Sequence, residues 1–136
     1  VIGIFLIREY VKIREYIKES QNKLPDSFTI KLYADFSSSG ASRYYNAILT
    51  FKNSRLTYGW QRYEIWPGTG GHNVYECTVD LATLTWVDKE TKEECEHERV
   101  FAPLDKQQLQ DGIDSGKWFK PIDQCYHGDI CYEIMN

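Results

Sequence analysis

The sequence predicts an α+β domain in which a long N-terminal helix packs on an antiparallel β-meander of about six strands, with one short C-terminal helix and a disulfide-stapled tail. Three observations predict it. Residues 1–24 repeat apolar side chains at helical spacing, the middle of the chain alternates apolar and polar residues in short runs broken by turn residues, and four cysteines occupy the second half. At 136 residues the chain suits one body with one core. The expected division is a helix over 1–24 and a single antiparallel β-rich domain over 25–136.

The helix comes first. Its leading end, Val1 to Ile7, carries no charge, and Leu6, Tyr10, Ile13 and Ile17 then follow at spacings of four, three and four, on one helical stripe. Glu9 with Lys12 and Glu15 with Lys18 stand three apart with the acid first, a favourable order, and Pro25 ends the helix. Ile2, Phe5, Leu6, Tyr10, Ile13 and Ile17 are the expected assembly or anchoring residues. Seven uncharged residues fall far short of the roughly 20 needed to span a bilayer. The apolar run is therefore expected either to be the end of a spanning or signal segment of a longer precursor, or to bury in the domain.

The strands follow in order. Ser27 to Phe36 alternates, with Phe28, Ile30, Leu32 and Phe36 on one face, and Ser37 to Ser42 reads as a solvated loop. Tyr44 to Lys52 and Arg55 to Trp66 form a hairpin around Asn53-Ser54, with Leu56, Tyr58, Trp60, Arg62, Glu64 and Trp66 in one phase of the second strand. Pro67 to Gly71 breaks it without the Lys-Ser/Thr of a phosphate-cradling loop. Asn73 to Asp80 and Leu84 to Asp88 form a second hairpin, and a turn at Lys89 to Lys92 leads to a strand over Glu93 to Phe101. The short helix has Asp105 as cap, Gln108 three residues later, Leu104 able to staple to Leu109, and Gly116 as its stop. Trp118, Phe119 and Ile122 are expected to lie back on the core, and Cys125 to Cys131 to form a tight turn with a cysteine at each foot.

Charge and chemistry narrow the function. The net charge of −4 divides into +2 over residues 1–24 and −6 over residues 25–136, and so acidic a body argues against nucleic acid. Cys77, Cys95, Cys125 and Cys131 contain no C-x-x-C pair, which favours disulfides and an extracytoplasmic, oxidising location. Two connectivities stay open. In a flat sheet Cys77 and Cys95 would flank the strand of Trp86 about 10 Å apart, too far for a bond. Either they pair with the tail cysteines, or the strand order differs and each cysteine takes its neighbour. Zinc at Cys95-x-His97 and Cys125-x-His127 is the minor alternative. Glu94, Glu96 and Glu98 share a strand face that reads as a charged, solvated edge rather than a calcium site. No catalytic motif is present, so neither an enzyme nor a cofactor is expected. Tyr33, Tyr44 and Tyr63 could form a platform that stacks on carbohydrate or peptide.

Val1-Ile2-Gly3-Ile4, the amphipathic helix after it and the cysteines in the tail resemble a type IV pilin or pseudopilin. The resemblance implies a structural subunit displayed at the cell surface, whose helix mediates self-association or membrane anchoring, with no catalysis. The chain departs from the family in lacking the processed aromatic N-terminus and the nearby glutamate, and in placing Arg8 and Glu9 early. The alternative is a secreted or membrane-tethered ligand-binding domain with a helix lying across a curved sheet, as in cystatin-like folds.

Overall fold

Phe28, Ile30, Leu32 and Ala34 alternate with Thr29, Lys31, Tyr33 and Asp35, and in the computed structural model, which describes residues 23–135, the first set is buried. The same division runs through β1 (Phe28–Asp35), β2 (Ala41–Lys52), β3 (Arg55–Pro67), β4 (Asn73–Asp80) and β5 (Thr85–Asp88). Each pairs with the next in antiparallel register. Asn53 and Ser54 both take positive φ, the conformation a two-residue hairpin turn demands.

Leu56 shows how register overrides sequence phase. A register shift at Thr50/Phe51 places Leu56 opposite Phe51 while Tyr58 stays opposite Thr50. Leu56 therefore joins the core, whereas Tyr58 is exposed. Gly59, Gln61 and Tyr63 face the core side of the same strand, opposite Leu49, Ala47 and Tyr45. Gln61 is 2% exposed and accepts the Tyr45 hydroxyl at 3.0 Å, while burial pushes the Tyr45 phenol well above its ordinary value and keeps it protonated.

The core face is roofed by the second half of the chain. Helix α1 (Lys106–Ser115) starts where the Asp105 side chain accepts the N–H groups of Gln107 and Gln108, and stops at Gly116 in the left-handed region, as its sequence signals require. Leu109 and Ile113 are buried in the core. Gly112 lets Phe119 approach: a Cβ there would lie 2.6 Å from that ring. The Trp86 indole N–H donates to the Ala102 carbonyl at 3.0 Å, which ties the roof to β5.

Several expectations are corrected. Among the described residues the sheet is mixed and has seven strands, in the order β5-β4-β3-β2-β1-β7-β6. The tail supplies β6 (Phe119–Pro121) and β7 (Ile130–Met135) in addition to its turn. β7 runs antiparallel to β1, and β6 runs parallel to β7. Without them β1 would be an edge, and Ile30 and Leu32, both 0% exposed, would sit at it. Glu93 to Phe101 is not a strand: one bridge joins Glu94 to Val87, and His97–Arg99 make a 3₁₀ turn. Glu94, Glu96 and Glu98 therefore share no strand face. Of the three residues expected to return to the core only Phe119 does, at 5% exposure, while Trp118 and Ile122 stay exposed.

No long N-terminal helix is seen among the described residues. The helix among the described residues that exceeds a single turn is α1, 10 residues long, and Lys23 and Leu24 are not helical. Leu24 is instead buried in the core, its N–H donating to Gln110 Oε1 at 2.7 Å. The remainder of that expectation, with Ile2, Phe5, Leu6, Tyr10, Ile13 and Ile17, lies outside the described residues. None of the described helices is long and apolar enough to cross a membrane.

All four cysteines pair with their neighbours, Cys77 with Cys95 and Cys125 with Cys131. The reach that a flat sheet forbids is achieved because pairing with β5 is a single bridge long. From there the chain turns over the core face, where Cys95 packs, and the Cα atoms stand 6.6 Å apart. Two disulfides are compatible with an extracellular protein folding in an oxidising environment.

Candidate functional site

The other face of the sheet has no helix above it among the elements that roof the core. The register fixes which side chains it presents. Tyr33, Asn46, Arg62 and Glu76 form one rung across β1 to β4, and Asp35, Tyr44, Glu64 and Val74 form the next. Beyond them Trp66 stands opposite Ser42. Tyr44 and Trp66 are 40% and 45% exposed, which marks this end of the face as accessible aromatic surface.

Two ion pairs stand on these rungs. Arg62 bonds Glu64 through Nη2, and Glu76 takes Lys89 at 3.1 Å. Burial alone would raise the Glu76 carboxyl, but hydrogen bonds from Lys89 and the Trp60 indole, with the charges of Lys89 and Arg62, hold it below its ordinary value. Lys31 lies over the Tyr33 ring, its Nζ 5.8 Å from the centroid. The Arg62, Glu64 and Glu76 charges of this face are therefore each engaged by an opposite charge.

One face of the Trp66 ring is covered by a neighbouring ring. The His72 ring stacks on it with centroids 3.6 Å apart and planes 11° from parallel, and His72 Nε2 lies 3.8 Å from the Glu64 carboxylate. The chain returns to that position through Gly70 and Gly71, whose φ values of 102° and 96° exclude most side chains. The tail braces the neighbouring loop: His127 Nε2 contacts the Ser37 carbonyl at 2.9 Å, and the Gly128 N–H donates to the Asp35 carbonyl at 3.1 Å. Asp35 is kept below its usual carboxylate range by hydrogen bonds from Ser37, assisted by His127.

Of the three tyrosines read as a platform, Tyr33 and Tyr44 lie on this face. Tyr63 does not: it faces the core, 6.3 Å from Phe101. Trp66, His72 and the Arg62–Glu64 pair are the members that the tyrosine reading missed. Their signal is the out-facing phase Trp60, Arg62, Glu64, Trp66, which alternates with Gln61, Tyr63 and Ile65. The zinc alternative is overturned because all four sulfurs are bonded and offer no thiolate. Among the described residues no group of three or more His, Cys, Asp or Glu side chains is gathered closely enough to hold a metal ion.

The chain matches no family model, no curated protein and no solved structure. With no family match, and no long helix among the described residues, the pilin resemblance is overturned.

Proposed function

We propose that the chain is a non-catalytic, extracytoplasmic carbohydrate-binding domain, and that the open sheet face is its ligand platform. The observation that carries the reading is the exposed Tyr44 and Trp66 pair beside the Arg62–Glu64 pair, on a face that no described helix covers. Flat rings stack on the C–H faces of sugar rings, while a fixed guanidinium and carboxylate donate to and accept from adjacent hydroxyls. A rigid sheet holds both at constant spacing, which lowers the ordering cost of binding. The two disulfides support the location, since such bonds persist in oxidising compartments.

A strand-adding peptide partner has less to favour it. One edge strand, β5, has four residues, and the other, β6, has three and contains Pro121. The test is retention of the full chain on immobilised neutral polysaccharides (cellulose, xylan, mannan, chitin and starch) beside its Trp66→Ala variant. Retention on at least one of them, weakened about threefold to tenfold in the variant, is the expected result. No retention on any, or retention that Trp66→Ala leaves unchanged, overturns the reading.

A further inference from the structure

We infer that the ligand is an extended neutral glycan of several sugars lying diagonally across β1, β2 and β3, rather than a single sugar. The inference rests on the carbohydrate-binding reading above. Its observation is the line of aromatic side chains. Tyr33 lies opposite Asn46, two residues from Tyr44, and Trp66 lies opposite Ser42, two residues beyond Tyr44 in the same direction. Each step is a diagonal neighbour on one face, about 7–8 Å, so the three rings follow one line about 15 Å long. That span exceeds one pyranose ring.

The charge of the ligand follows from the same rungs. Arg62 is taken by Glu64 and Glu76 by Lys89, while Lys31 lies over the Tyr33 ring with its Nζ 5.8 Å from the centroid. A charged chain seated on the Arg62 and Glu76 rung would have to break one of these two ion pairs. A chain bearing only hydroxyls would not.

The experiment is calorimetric titration of the full chain with neutral oligosaccharide ladders (cello-, xylo-, manno- and chito-series), each from monosaccharide to hexasaccharide, with a uronic-acid ladder beside them. Affinity should rise about tenfold or more from monosaccharide to trisaccharide in one neutral series and then level off. Tyr33→Ala should weaken the longer sugars about threefold to tenfold and leave the monosaccharide unchanged. A monosaccharide that binds as tightly as the hexasaccharide, or a Tyr33→Ala loss that is equal at every length, overturns the extended chain while leaving carbohydrate binding in place. Tighter binding of the uronic-acid ladder overturns the neutral assignment. Binding of no ladder by the folded protein overturns the carbohydrate reading itself.

Discussion

Tyr44 and Tyr45 are the same residue at adjacent positions, yet one is 40% exposed and the other 1%. Tyr45 is packed edge-on to Phe101 at 5.0 Å, with its hydroxyl spent on Gln61. Tyr44 turns to the opposite face, beside Glu64 and Asp35. The difference lies in the pleat. On a sheet roofed on one side, a one-residue step separates a side chain that stabilises the fold from one that is free to meet a ligand. The two faces should therefore answer to different measurements, stability for one and binding for the other.

The largest expected effect tests that division within β2. Leu49 is 0% exposed, and Leu49→Ala should lower unfolding free energy by roughly 2–5 kcal/mol. Ile48, one residue away on the open face, is only half-buried, and Ile48→Ala should cost about 1 kcal/mol or less. Urea unfolding monitored by tryptophan fluorescence measures both. Equal losses would mean that the open face is packed as tightly as the core.

How far this division could be read from the chain depends on how local its causes are. β1 and β2 alternate cleanly, the Asn53-Ser54 turn pins the β2–β3 hairpin, and the caps of α1, Asp105 and Gly116, each adjoin the end they close, so all were legible. Tyr63 was misplaced because its face is decided by pairing with Tyr45 across the hairpin. β6 and β7 were missed for a different reason. Phe119–Pro121 is short and carries a proline, and β7 finds its partner β1 about a hundred residues earlier in the chain. No local period encodes such a contact.

The disulfides sharpen the comparison, because each serves a different face. Cys77 points to the core side, paired with Cys95, whereas Cys131 lies opposite Tyr33 on the open side. Replacing Cys77 and Cys95 together by Ser should cost about 3 kcal/mol on the chain-entropy model, since the bond closes a separation of 18 residues. Replacing Cys125 and Cys131, only 6 apart, should cost about 2.4 kcal/mol. Urea unfolding free energies, each taken from its own midpoint and m-value, measure the two. The tail variant should in addition weaken long-glycan binding, because His127 and Gly128 brace the loop beside Asp35. If the core-side variant alone lost binding, the assignment of binding to the open face would fail.

The smallest effect concerns acid. Asp88 ends β5 and anchors the turn after it: its Oδ1 accepts the N–H groups of Glu90 and Thr91, each at 2.9 Å. Those bonds, that from Thr91 first, hold its carboxyl below the usual value. The folded chain therefore takes up this proton at lower pH than the unfolded chain does. Its contribution is complete above the unfolded value of about 3.9 and is lost as pH falls through the lower folded value. Asp88→Asn keeps an oxygen in the accepting position and removes the titration. Below about pH 4 the wild-type protein should lose stability with a steeper slope than Asp88→Asn, and the two should run parallel above about pH 5. Unfolding free energies measured across that range decide it. Superimposed acid limbs would mean that the turn draws nothing from the charge on Asp88, and that the sharp reversal bringing Cys95 over the core face is held by the cystine and by backbone bonds such as Lys92 N–H to the Asp88 carbonyl at 2.9 Å.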